Sequence, residues 1–146
     1  MKLSVSKVID RPPAVVWQFF AVDHLRNHPR WDPKMELRQL TDGPIGVGTR
    51  IQRRHTRLGV PIEGTMEVVE FQPERAMGAV IHDSTPTGPL EVHSRMTAEP
   101  EGEGRTTLTI HLDIPAMAAS MDPSMVEASL SKMKELIEAE TQPMPA

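Results

Sequence analysis

Residues 49–57, TRIQRRHTR, and residues 62–71, IEGTMEVVEF, are the clearest indication of the fold class, because both segments alternate apolar and polar side chains like β-strands. The short connection LGVP, at 58–61, separates them. Two such segments joined by a tight connection predict an antiparallel β-hairpin. The rest of the chain can be interpreted outward from this hairpin.

The register of the hairpin sets which of its side chains share a face. With 58–61 as the turn, Arg57 pairs with Ile62 and His55 with Gly64, and alternate residues lie on the same side of the sheet. One face is then Ile51, Arg53, His55, Ile62, Gly64, Met66 and Val68, and the other is Gln52, Arg54, Thr56, Glu63, Thr65 and Glu67. The second face is uniformly polar, so we expect it to meet solvent. Phe71 joins the first face if a β-bulge intervenes near Val69.

The strand pattern continues on both sides of the hairpin. KLSVSKVI at 2–9 and MELRQLT at 35–41 precede it, and further alternating segments follow it. These later segments are AMGAVIHD, LEVHSRMTAE and RTTLTIHLDI. Turns rich in Gly and Pro separate the segments, which predicts an antiparallel meander of about seven strands.

Two regions have helical rather than strand spacing. The segment AVVWQFFAV predicts a short, mostly buried helix over about 13–21. Near the C-terminus an apolar stripe recurs at spacings of 4, 3 and 4, formed by Val126, Leu130, Met133 and Ile137. Asp122 is expected to cap this long helix, with Pro123 in its first turn.

This order of elements predicts an α+β fold, in which a curved antiparallel sheet of about seven strands wraps around a long C-terminal helix. Two short helices are expected after strand 1. We expect one domain over residues 1–141 and a frayed tail at 142–146. A curved sheet that grips one helix leaves a space between them, which is a suitable cavity for a small molecule.

The segment DHLRNHPRWD, which begins at Asp23, offers two interpretations. On a helix, His24 and His28 would share a face at a spacing that can hold a metal ion. However, Pro29 disfavours helix at the residue before it, and a usable site needs three or more ligands. We therefore expect no metal site, and interpret Trp31 as a packing anchor at the mouth of the cavity.

The composition narrows the class of protein. Cysteine is absent, which excludes disulfides, thiolate nucleophiles and Cys-type zinc sites. The net charge is −4 with acids and bases mixed, which argues against a general nucleic-acid binder. The chain has no apolar run of the length of a membrane span, about 20 residues. We expect a cytoplasmic protein without stable membrane insertion, as a monomer or homodimer.

The sequence resembles the START-like superfamily (also called SRPBCC), and within it the polyketide cyclase/dehydrase and lipid-transport group. The resemblance is distributed over nearly the whole chain. The segments that carry it are IDRPPAVVWQFF, Asp23 with the PRWDP that ends at Pro33, DGPIGVGTR at 42–50, EVVEFQPER at 67–75 and the C-terminal helix. It implies a helix-grip fold with a hydrophobic cavity between sheet and helix. It implies no single reaction and no catalytic set, because members include carriers, cyclases and aromatases.

Arg53 and His55 are the candidate polar groups of this cavity. Arg53 can anchor a carboxylate or polarise a carbonyl, with His55 as donor or base; the alternative is that both lie at the rim and reach water. His82 is expected to be packed and hydrogen-bonded rather than catalytic. No cofactor is expected. The predicted ligand-binding residues are Trp31, Arg53, His55, Met66, Val92, Ser94, Met96, Leu112, Met125, Ser129 and Met133.

Three functions are compatible with this pattern. The first is a carrier or sensor that binds a small, mostly apolar or amphipathic ligand. The second is a cyclase- or dehydratase-type enzyme that acts on a carbonyl compound in the same cavity. The third is a protein-interaction module that uses the surface of the sheet or helix.

Overall fold

In the computed structural model, which describes residues 1–56, 59–116 and 123–141, alternating and helical segments form the predicted order of elements. The elements are β1 (Lys2–Ile9), α1 (Pro13–Trp17), a π-helical turn (Gln18–Val22), α2 (His24–Trp31), β2 (Met35–Gln39), β3 (Arg50–His55), β4 (Ile62–Gln72), β5 (Ala76–Thr85), β6 (Gly88–Pro100), β7 (Thr106–Asp113) and α3 (Ser124–Glu140).

The strands form one antiparallel sheet in the order β1-β7-β6-β5-β4-β3-β2. Consecutive strands from β2 to β7 are neighbours, as in a meander. The helices after β1 carry the chain across to the far edge of the sheet, so β1 pairs with the last strand. The predicted sheet, its two short helices and its long C-terminal helix are confirmed.

The observed register of β3 and β4 corrects the predicted one by two residues. His55 lies opposite Ile62 and Arg53 opposite Gly64, because the connection between the strands is longer than LGVP alone. The predicted partner of Ile62, Arg57, lies outside the described residues. An even shift keeps every side chain on its predicted face, since the strand repeat is two residues. The register of β4 against β5 changes between Val68 and Glu70, which confirms the predicted bulge.

The helical region after β1 is more continuous than the sequence predicts. The predicted helix over 13–21 is present, although its second half is a π-turn in which Asp23 N–H donates to Gln18 O over 2.9 Å. The expectation that Pro29 interrupts helix at His28 is wrong, because α2 runs through Pro29 to Trp31. The free energy gained by burying the α2 side chains exceeds the cost of the one backbone hydrogen bond that proline cannot donate.

The apolar interior forms two clusters. The first joins α1, the π-turn and α3 to the sheet, and its most buried members include Phe20, Leu130, Met133 and Ile137. The second lies on strands β3, β4 and β5 and consists of Ile51, Met66, Ala79 and Ile81. The buried side chains of α3 confirm its predicted apolar stripe, and the predicted cap Asp122 lies outside the described residues. Among the residues described, no helix is long and apolar enough to cross a bilayer.

Candidate functional site

A buried group of ionisable side chains lies on the inner face of the sheet beside the second apolar cluster. Arg53 is 6% exposed, His55 6% and Asp83 5%. Arg53 Nε lies 3.2 Å from Asp83 Oδ1, and His55 Nε2 lies 3.6 Å from Asp83 Oδ2. The alternative that Arg53 and His55 reach water at the rim is therefore wrong. One carboxylate holds both groups, and we call these three residues the Arg53 cluster.

The sheet builds this cluster through a glycine. Arg53, Gly64 and Asp83 lie opposite one another on three adjacent strands, so that Gly64 separates the two charged residues. A Cβ on Gly64 would lie 2.1 Å from Asp83 Oδ1 and 2.4 Å from the backbone oxygen of His82. Only a residue without a side chain lets Arg53 and Asp83 meet across the middle strand.

Two histidines of α2 extend the polar group on the helical side. His24 is 2% exposed, and its Nδ1 donates to Phe20 O over 2.8 Å. Because a carbonyl oxygen only accepts, the Nδ1 hydrogen of His24 is fixed and its Nε2 is the acceptor for His28 Nδ1, 3.1 Å away. His28 stacks on Trp31 with ring centroids 4.9 Å apart. The predicted shared face of His24 and His28 exists, in a hydrogen-bonded pair.

His24 is held in its neutral form. Burial lowers the pKa of His24 and outweighs the hydrogen bond to Phe20, which raises it. With a smaller lowering by the positive charge of Arg53, the pKa is about 4. Among the residues with described positions, no three His, Asp or Glu side chains converge as ligands for a metal ion. The arrangement therefore offers one buried ion pair and the neutral imidazole of His24 at the edge of an apolar surface.

The predicted ligand-binding residues divide among these regions. Trp31, Met96 and Met133 are buried in the first apolar cluster, with Leu112 half-buried beside it. Met66 belongs to the second cluster, with Val92 half-buried beside it. Ser94 and Ser129 are half-buried. Met125, in the first turn of α3, is 47% exposed, and its predicted place in the cavity wall stays a prediction.

A groove of about 420 Å³ also crosses the sheet, but it lies on the outer face. Its walls include His93, Arg95 and His111, which alternate with the inward side chains of their strands. Arg95 forms an ion pair with Glu70 there, with 2.8 Å between Nε and Oε1. Ser94 and Leu112, which are predicted ligand-binding residues, also border this groove. His82 also points outward with a 63% exposed side chain, so the prediction that it is packed is wrong.

The sequence interpretation missed Asp83 and His24 as parts of the site. Asp83 ends the segment AMGAVIHD, which is apolar on both faces and gave no alternation from which to place it. The signal that could have found it is the Gly64 position inside an otherwise regular strand, since such a glycine often marks a close approach. His24 lies in the segment in which Pro29 predicts an interruption of the helix at His28, so its burial on a continuous helix has no signal in the sequence.

The fold and the buried site define a protein of the helix-grip class, with a long helix held against a seven-stranded antiparallel sheet. A family model described as "Polyketide cyclase / dehydrase and lipid transport" matches residues 1–138, and the chain belongs to this family. The START-like resemblance is thereby confirmed. No curated protein matches the sequence.

Solved structures share the fold at low sequence identity. The Zhui aromatase/cyclase of Streptomyces sp. R1128 is 16% identical with a TM-score of 0.75, over 97% of this chain and 96% of that one. Norcoclaurine synthase of Thalictrum flavum, in complex with dopamine and hydroxybenzaldehyde, is 12% identical with a TM-score of 0.72, over 97% and 88%. Protein MLL2253 of Mesorhizobium loti is 17% identical with a TM-score of 0.71, over 97% and 100%.

Proposed function

We propose that this protein binds a small, mostly apolar molecule on the concave side of its sheet, with the polar end of the molecule against Arg53 and His55. The observation that carries this proposal is the Arg53 cluster, which is buried beside an otherwise apolar surface. Ionisable groups are costly to bury, and a few of them on an apolar concave wall are typical of a ligand site. The family description, which includes lipid transport, supports a ligand of this kind.

The apolar part of the ligand would lie on half-buried residues between the two apolar clusters. Ser94 lies opposite Leu112 on one side and Ala79 on the other, which belong to different clusters. Val92, Ser94 and Leu112 alternate with outward side chains and are half-buried. This strip therefore lies between the first apolar cluster and the second, beside which the Arg53 cluster lies.

The relatives of known structure support the size and chemistry of such a ligand. The norcoclaurine synthase structure contains dopamine and hydroxybenzaldehyde, two small aromatic molecules with polar groups. The Streptomyces relative is an aromatase/cyclase. A ligand with an apolar body and an oxygen at one end would match both apolar clusters and the Arg53 cluster.

The test is saturable binding of N-phenyl-1-naphthylamine, a neutral apolar fluorophore. We expect Ser94→Phe, which fills the strip between the clusters, to weaken binding by roughly tenfold or more. His93→Phe is the matched control, because the adjacent residue points to the outer groove. Binding that is absent in the wild type, or that is lost in His93→Phe and kept in Ser94→Phe, would contradict the proposal.

A second function, an enzyme acting on a carbonyl compound, is favoured by one observation. His55 Nε2 lies 3.6 Å from Asp83 Oδ2, so a carboxylate orients an imidazole beside a guanidinium. Such a set can move a proton and stabilise an enolate. This function predicts that His55→Gln abolishes turnover of a bound carbonyl compound but retains its binding. Equal turnover in the variant and the wild type would exclude His55 as the base.

A further inference from the structure

We infer that Asp83 determines which chemical class of ligand binds. Because its carboxylate neutralises the charge of Arg53, the site favours a neutral oxygen, as in a ketone, aldehyde or hydroxyl, over a carboxylate. The inference rests on the proposed function and deepens it. The sequence alone leaves two possibilities for Arg53, a carboxylate anchor or a carbonyl donor. The position of Asp83 distinguishes them.

The first step of the argument is charge balance. Asp83 is 5% exposed, and its two oxygens lie 3.2 Å from Arg53 Nε and 3.6 Å from His55 Nε2. The protein therefore already contains the anion that a buried guanidinium requires. A ligand carboxylate at this place would be a second anion close to Asp83 in surroundings that screen charge poorly. A neutral oxygen can accept a hydrogen bond there without bringing a charge.

The second step is that the adjacent histidine of α2 adds no positive charge. Burial keeps the imidazole of His24 neutral at ordinary pH, and the positive charge of the nearby Arg53 lowers the pKa of His24 in the same direction. Its Nδ1 hydrogen is committed to Phe20 O. A ligand carboxylate therefore gains no counter-charge from His24.

The third step is that the Asp83 position is fixed by the backbone. Gly64 lies between Arg53 and Asp83 on the middle strand. The Asp83 carboxylate fills the space beside Gly64, since a Cβ on Gly64 would lie only 2.1 Å from Asp83 Oδ1. The sheet register and the glycine thus set the distance of the ion pair. The Asp83 carboxylate is therefore a fixed counter-ion of Arg53.

The experiment compares ligands that share an apolar body and end in either a neutral methyl ketone or a charged carboxylate. Undecan-2-one with decanoate, and 2-acetylnaphthalene with 2-naphthoate, are titrated calorimetrically into the wild-type protein at about pH 8, above the ordinary pKa of histidine. We expect the ketone of at least one pair to bind more tightly than its carboxylate by roughly tenfold or more. No variant is needed for this comparison, so it does not depend on the folding of a mutant.

Asp83→Asn then tests the cause. Removing the carboxylate leaves the Arg53 charge for the ligand to balance, so the ketone-to-carboxylate ratio of affinities should fall by roughly tenfold. Glu63→Gln is the matched control, because Glu63 lies next to Gly64 on β4 with a 68% exposed side chain that pairs with Arg54 on the outer face. The control should keep the wild-type ratio.

The outcomes separate this inference from the proposed function. Carboxylates that bind the wild type as tightly as the ketones would overturn the inference and leave ligand binding intact. An unchanged ratio in folded Asp83→Asn would overturn the role of Asp83. Saturable binding of none of the four molecules, together with no binding of N-phenyl-1-naphthylamine, would overturn both.

Discussion

The buried imidazole of His24 should make the stability of this protein depend on pH in a way that one substitution removes. His24 is neutral in the folded protein, where its pKa is about 4, whereas in the unfolded chain its imidazole has the ordinary pKa of 6.5. Between these values the unfolded chain binds more protons than the folded protein. Stability is therefore fully present above about pH 6.5 and is lost as the pH falls toward 4.

The size of the effect follows from the shift. A difference of 6.5 against about 4 corresponds to about 3 kcal/mol of stability, of which about 2 kcal/mol is lost by about pH 5. His24→Asn removes the titration while its amide can still donate to Phe20 O, as Nδ1 does over 2.8 Å. The variant should be less stable near neutral pH because ring packing against Trp31 and His28 is lost.

The assay is urea denaturation of wild type and His24→Asn at several pH values between about 7 and 4. Burial raises the pKa of Glu138, but hydrogen bonds from Asp10 N–H and Lys134 lower it more, together with nearby positive charges. Protonation of such carboxylates therefore also destabilises both proteins on acidification. The measured quantity is therefore the gap between the two proteins, which should narrow by about 3 kcal/mol. His82→Asn, the same substitution at an exposed outer-face position, is the control variant. A gap between wild type and His24→Asn that stays constant within about 1 kcal/mol would refute the reasoning.

Two further predictions concern stability measured by urea denaturation at neutral pH. Gly64→Ala should destabilise the fold by about 3 kcal/mol or more, because the new Cβ meets Asp83 Oδ1 at 2.1 Å, while Gly46→Ala, which has open space, should change it by less than about 1 kcal/mol. Equal effects of the two changes would contradict the geometry of the Arg53 cluster. Met133→Ala should cost about 2–5 kcal/mol because the side chain is fully buried, and Met125→Ala, 47% exposed, less than about 1 kcal/mol. A similar cost at Met125 would show that this residue is covered in solution.

The strand and helix pattern was predictable because it depends on local periodicity. The inward face of β3 and β4 follows from alternation alone, and it remains correct even though the register of the hairpin is shifted by two residues. The bulge near Val69 was predictable for the same reason, because Phe71 could not otherwise join the apolar face. The stripe of α3 likewise follows from spacing, and its members Leu130, Met133 and Ile137 are buried.

The helix α2 shows where local rules fail. The preference of the residue before proline predicts an interruption at His28, but the helix continues to Trp31. Packing of His24 and Trp31 into the interior provides more free energy than the local preference removes. The same tertiary packing makes His24 a buried, neutral residue, which its sequence neighbours do not indicate.

The order of elements and the apolar faces follow from the sequence, because they depend on contacts between residues close in the chain. The inward direction of Arg53 and His55 follows from it for one turn of the hairpin, since a slip by one residue would exchange the faces. The contact of Asp83 with Arg53 across Gly64, and the position of His24 near the same charge, follow from tertiary packing alone. These pairs join β3 to β5 and to α2, and their distances depend on sheet register and helix packing. The charge of the candidate site is therefore a property of the fold, since a buried ion pair forms only where packing brings its partners together.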